Sequence, residues 1–312
     1  MATKKKPTKT SAKKSSTKPK TEAAKTAKSE KPETVASAVE ATPKMGKEIF
    51  KGFFAKKCDP KENVLTIFKN PKIYAALIGE LVGTMLLSML FLTLGVQPLY
   101  MIFGCIGITL AVFTLSGANL NPLITVGMMA SRRMSAIRGV LYILAQIVGA
   151  WLGMLIINGF RLGSGTEAEL PVMGEISGEV FWAVALVELV GAFIIGFGFV
   201  RALQYKRSAI SFAFTVTSAI TLAIIVGIVV SQNFFEFTET TFIYNPAVAL
   251  MYQILPSAAD SFGQLVGNAC LALLAYAVFP MIGGVIGFCI SDIASKFNGE
   301  CCCCDCCKKE NK

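Results

Sequence analysis

The sequence predicts an all-α, multi-pass membrane protein: six transmembrane helices plus two re-entrant half-helices, arranged as an inverted repeat of three spans each. Three observations lead there. Of 312 residues, 54% are hydrophobic and only 16% charged, outside the range of soluble domains. Six apolar runs, at 74–95, 99–115, 137–159, 178–200, 209–231 and 264–292, reach or approach the ~20 residues needed to cross ~30 Å of hydrocarbon. Two shorter apolar pieces, 122–130 and 246–255, each follow an Asn-Pro pair and reach about halfway across.

The first 50 residues are Lys, Thr, Ser, Ala and Pro, with 13 Lys against 5 Glu, and contain no apolar core of a cleaved signal peptide. That arm carries most of the net charge of +10, so the basic excess belongs to a tail and not to the membrane body. It reads as a solvated cytoplasmic segment with weak lipid contact. A nucleic-acid role is set aside, because six spans hold the arm beside anionic lipids that already account for such attraction. The tail is taken as 1–70, the membrane domain as 71–292 (repeat one 72–160, repeat two 178–292), and a second cytoplasmic tail as 293–312.

Between residues 74 and 293 the cationic residues are Arg132, Arg133, Arg138, Arg161, Arg201, Lys206 and Arg207. All but Arg161 gather in or beside the loops after spans 2 and 4. The loops after spans 3 and 5 are acidic, with Glu167, Glu169 and Glu175 in one and Glu236 and Glu239 in the other. The positive-inside bias puts both termini in the cytoplasm.

The repeat shows in landmarks that recur in one order. "GELVG" (79–83) and "VELVG" (187–191) stand near the start of the first span of each block, Asn-Pro follows at 121–122 and 245–246, and then "QIVG" (146–149) or "QLVG" (264–267). Three spans per block is an odd number, so the second copy enters the bilayer from the opposite side. Gly83, Gly149, Gly191 and Gly267 read as small residues that allow close helix contact.

Asparagine is a strong N-cap and proline is preferred at the first helical position, so each Asn-Pro marks a helix start at membrane depth. The backbone just before each start would have unpaired carbonyls there, which survive only where protein buries them or water wets them. Entering from opposite faces, the two half-helices meet start to start near the midplane, a broken seventh span beside a wet path.

These residues resemble the aquaporin, or major intrinsic protein, family. "SGANLNPLITVG" is similar to that family's Ser-Gly-Ala-His-x-Asn-Pro-Ala-Val-Thr box and "NPAVAL" to its Asn-Pro-Ala-Arg box, while "ELVGT" and "QIVG" match its Glu-x-x-Gly-Thr and Gln-x-x-Gly. The likeness runs from about 72 to 292 and leaves out both tails. It implies a passive channel for water and small uncharged solutes such as glycerol or urea, assembled as a homotetramer in a lipid membrane, with no cofactor and no enzymatic activity. Asn121, Pro122, Leu123, Asn245, Pro246 and Ala247 would form the pore midplane. The carbonyl ladder would come from Gly117, Ala118, Asn119, Phe242, Ile243 and Tyr244.

Two departures stand out. Leu123 replaces the usual alanine and adds bulk beside the midplane constriction, and Val248 stands where the family carries the arginine of its outer selectivity filter. The resemblance then implies filter positions Met101, Ile228, Phe242 and Val248, all apolar.

Glu80 and Glu188 lie inside spans. They read as anchors that accept hydrogen bonds from N–H groups of the re-entrant loops; the alternative is an ion-coupled secondary transporter, which also uses broken helices in inverted repeats. A structural membrane protein with a nearly closed pore is the third reading. Six of the ten cysteines, Cys301, Cys302, Cys303, Cys304, Cys306 and Cys307, follow the last span. They read as S-palmitoylation sites. The chain has no His, which excludes a Cys/His zinc site, and so crowded a Cys run suits one tetrahedral centre poorly.

Overall fold

The computed structural model describes residues 64–95, 97–167, 178–204, 208–234, 242–252 and 262–297. The Lys-rich arm, the acidic residues Glu169, Glu175, Glu236 and Glu239, Lys206 and Arg207, residues 253–255 of the second short apolar piece, and the cysteine run at 301–307 lie outside the described residues.

A short helix α1 (Val64–Ile67) precedes the first span, α2 (Pro71–Leu94); Ile67 is buried with Ile73, Met134 and Tyr142, so helical structure begins inside the stretch read as tail. The second span is α3 (Pro98–Ser116), followed by the half-helix α4 (Pro122–Ala130) and the third span α5 (Ala136–Gly163). Repeat two holds α6 (Gly178–Gln204), α7 (Ala209–Phe234), the half-helix α8 (Pro246–Tyr252), and a last span made of α9 (Phe262–Leu273), a π-helical turn (Leu274–Val278) and α10 (Phe279–Phe297). Among the described residues six helices are long and apolar enough to cross a membrane, and the chain is an integral multi-pass membrane protein.

Local chemistry sets the boundaries. Asn70 caps α2 by accepting from Lys72 N at 3.1 Å, with Pro71 at the first helical position. Ser135 caps α5 by accepting from Arg138 N at 3.2 Å. At the end of α3, Gly117 takes the left-handed conformation, φ 86°, that turns the chain out of the helix.

Packing binds the two repeats into one body. α3 lies against α7, while each half-helix crosses over: α4 rests on α10 of the other repeat, and α8 on α5. Inside each repeat, the first and third spans meet backbone to backbone. A Cβ at Gly149 or Gly153 would come within 2.2 or 2.5 Å of the Leu81 or Met85 carbonyl oxygen; a Cβ at Gly283 or Gly287 would come within 2.2 or 2.3 Å of that of Leu189 or Phe193. Only glycine admits such an approach.

This symmetry corrects the third landmark of the repeat. Gly149 has its counterpart in Gly283, not in Gly267, whose added Cβ would meet nothing within 4 Å. Span six runs over 36 residues, 262–297, and is interrupted by the π turn, so the glycine contact lies farther along the chain than "QLVG". The position matching Gln146 is therefore Pro280.

Beyond the ends of the half-helices, Arg133 makes a bidentate pair with buried Asp292 of α10, at 2.9 and 2.5 Å. Arg201 of α6 donates to Ser295 of α10 at 3.1 Å, and Gln204 also donates to Ser295. The last turns of α10 thus receive an arginine from each repeat.

Overpacking a tight contact costs about 1–3 kcal/mol. Gly283→Ala is expected to lower the melting temperature in detergent by several degrees, while Gly267→Ala leaves it within error. The reverse pattern would restore the register at "QLVG".

Candidate functional site

Each re-entrant loop is held by one buried glutamate. Glu80 accepts from Asn119 N at 3.0 Å through one oxygen, and from Leu120 N at 2.7 Å and Gln146 Nε2 at 2.7 Å through the other. Glu188 accepts from Ile243 N at 2.6 Å and from Tyr244 N at 3.0 Å. Three residues beyond each glutamate a glycine makes room for the residue before the asparagine. A Cβ at Gly83 would lie 2.4 Å from Leu120 Cδ2, and one at Gly191 would lie 2.1 Å from Tyr244 Cε1. Glu-x-x-Gly is in this sense one receptor, a carboxylate for the N–H groups and a gap for the side chain.

Leu120 and Tyr244 both have left-handed backbone, φ 55° and 52°. Bulky residues rarely adopt it, and it persists here because N–H, carbonyl and side chain are each gripped.

The asparagines then bind each other's loops. Asn121 Oδ1 accepts from Leu123 N at 3.0 Å and caps α4, while its Nδ2 donates to the Tyr244 carbonyl at 2.7 Å. Asn245 Oδ1 accepts from Ala247 N at 3.1 Å and caps α8, while its Nδ2 donates to the Leu120 carbonyl at 2.9 Å. Each amide thus fixes its own helix start and the turn entering the other. A primary amide has two N–H donors, and one on each asparagine is engaged in this cross-bond.

Beside this pair lies a cavity of about 30 Å³, lined by Ala118, Asn119, Leu120 and Asn121 together with Cys105, Thr109, Val216 and Ile220 among others. One water needs roughly 10–15 Å³ by this measure. The sequence reading did not single out Thr109 and Cys105, although Met101, Cys105, Thr109 and Val112 are the buried stripe of α3 at helical spacing. Behind the first loop, Thr125 accepts from Gln146 Nε2 at 2.9 Å and donates to the Asn121 carbonyl at 3.1 Å.

The remaining candidates fall as follows. Pro122, Pro246 and Ala247 are buried at the helix starts. Leu123 is not among the residues lining this cavity; it packs against Gly284 of α10, where an added Cβ would lie 3.0 Å from Leu123 Cδ1. Of the carbonyl ladder, Ala118 and Asn119 line the cavity, whereas Gly117 is the cap of α3. The Tyr244 carbonyl has one lone pair taken by Asn121. Met101, Phe242 and Val248 are buried in the central apolar cluster, and Ile228 packs against it half-buried.

Comparison with known proteins agrees with this architecture. The sequence model of the family described as Major intrinsic protein matches residues 67–290. Aquaporin PIP1-1 of Oryza sativa subsp. japonica is 32% identical over 123 residues, 38% of this chain and 41% of its own. Aquaporin PIP1-3/PIP1-4 of Zea mays gives the same figures, 32% over 123 residues, 38% and 41%. The chain thus spans about two fifths of the length of these curated relatives. Among solved structures, the X-ray structure of the aquaglyceroporin from Plasmodium falciparum superposes with a TM-score of 0.50 at 22% identity, covering 71% of this chain and 96% of that one, a likeness of fold.

Replacing one Glu188 oxygen with an amide sets a donor against a loop N–H, and an unsatisfied buried polar group costs about 1–3 kcal/mol. Glu188→Gln is therefore expected to lower the melting temperature clearly. An unchanged value would mean that the second loop does not depend on this carboxylate.

Proposed function

The chain belongs to the major intrinsic protein family, and we propose that it is a passive membrane channel for water and small uncharged solutes such as glycerol or urea. The observation that carries this reading is the pair of cross-bonded asparagines with a water-sized cavity against Asn121.

A molecule leaving bulk water must replace its hydrogen bonds from the wall. Thr109 and the loop at 118–121 offer acceptors and donors to the cavity, and Leu87, Ile108 and Ile220 add smooth apolar lining. The second N–H of each asparagine donates to the passing oxygen. Because each Oδ1 is held by its own helix, the amides do not turn to relay a proton. Two helix starts facing one another, each worth about half a positive charge, raise the energy of cations at the midplane. Val248 in place of a filter arginine, with Met101, Ile228 and Phe242 beside it, relaxes the choice between water and small neutral solutes.

The engagement of Glu80 and Glu188 by loop N–H groups supports anchoring over ion coupling, since neither carboxylate is left over to carry a driving ion. Arg133 and Arg201, both bound near the end of α10, support a cytoplasmic location for that end and so for both termini. A homotetramer with one pore per subunit completes the reading.

Proteoliposomes containing the protein should shrink faster than empty ones under a sucrose gradient. A small thiol reagent should slow them, and Cys105→Ser should relieve that block, because Cys105 lines the cavity. Shrinkage no faster than empty vesicles, together with no uptake of glycerol or urea, would defeat the channel reading.

Val248→Arg is expected to lower the glycerol-to-water permeability ratio by restoring a fixed cation and donors at the filter. An unchanged ratio would remove Val248 from that filter.

A further inference from the structure

The Tyr244 side chain takes no part in the pathway described above, yet it is buried and contacted from three sides. Tyr244 follows Phe242 by two residues on the stretch leading to Asn245, and the rings lie 5.4 Å apart at 31°. Behind them α7 has Gly227, where a Cβ would come within 2.2 Å of Tyr244 Oη and 2.9 Å of Phe242 Cε2. α6 closes the other side with Gly191. Tyr244 Oη donates to the Ala223 carbonyl of α7 at 3.1 Å, one helical turn before Gly227. The phenol is bolted between two helices by its tip, while its backbone is held by Glu188 and Asn121.

Repeat one has no such bolt. Leu120, at the matching position, fills the gap at Gly83 with an aliphatic side chain and has no ring two residues earlier, where Ala118 stands. The second loop therefore carries a device that the fold itself does not require.

Phe242 sits beside Gly227, the chain neighbour of Ile228, in the half of the proposed pathway where the wall is apolar. A phenyl ring on a loop keeps one orientation only if both its faces are filled. Here Gly227 admits it from one side and the Tyr244 ring backs it from another. Sliding the tyrosine would let the phenyl follow.

We propose that Tyr244 is a positioning residue that sets the solute cut-off of this channel by clamping Phe242 against α7 through its hydroxyl bond to Ala223. This rests on the channel reading above.

Tyr244→Phe removes only that hydroxyl. In proteoliposomes of the full chain, the glycerol-to-water permeability ratio is expected to rise about threefold to fivefold, the scale of one neutral hydrogen bond. Phe242→Leu should raise it too, and the double variant should add little, because the two side chains act as one unit. A merely structural tyrosine would lower the melting temperature and leave the ratio unchanged, and that result, or full additivity, overturns the proposal. If the wild-type chain passes neither water nor glycerol, the channel reading fails on its own. The clamp is then read by fluorine resonance from 4-fluorophenylalanine at position 242. Tyr244→Phe should shift and broaden that signal, and an unmoved resonance overturns the clamp.

Discussion

Non-helical backbone inside a hydrocarbon layer has to find its hydrogen-bond partners in protein or in water. In this chain that requirement falls on two short loops, 117–121 and 242–245, and most of what surrounds them follows from it. The first and third spans of each repeat approach through glycines, which brings Glu80 or Glu188 to the height of a loop. The carboxylates take the N–H groups, and the asparagines take the carbonyls. Each loop is completed by a residue of the other repeat, so neither repeat holds its own turn alone.

The symmetry stops at the side chains. Repeat one surrounds its loop with Thr84, Thr125 and Gln146, and its wall opens into a cavity where Thr109 and Asn119 face water-sized space. Repeat two has Ala249 and Pro280 at the places matching Thr125 and Gln146, and turns to aromatic packing by Phe242 and Tyr244. In the proposed channel, one half of the pathway would thus replace hydration with polar groups, and the other would select by fit.

Much of the fold was legible because its signals are local. An N-cap asparagine followed by proline marks a helix start wherever it occurs, and six long apolar runs need no partner to be recognised. The landmark at 264–267 misled because "QLVG" copies "QIVG" in type, while the contact that defines the repeat depends on how far the last span extends; the π turn at 274–278 moves it to Gly283 and Gly287. The packing of Leu123 was hidden for a related reason. Its bulk could be read from the sequence, but which way a residue in the first turn of a half-helix points depends on the rotation of that helix, and Gly284 on a distant segment receives it. The ring of Tyr244 gave no sequence signal, because its partners, Ala223, Gly191 and Gly227, lie on two other helices.

The mutual hold of the asparagines is tested most directly by a cryo-electron microscopy map of the protein in a lipid nanodisc, at a resolution that separates side-chain amides. The account predicts Asn121 Nδ2 against the Tyr244 carbonyl and Asn245 Nδ2 against that of Leu120, with ordered water density in the space beside Thr109 and Asn119. A map with the two helix starts apart, or with segments 122–130 and 246–252 lying along the membrane surface, would contradict it.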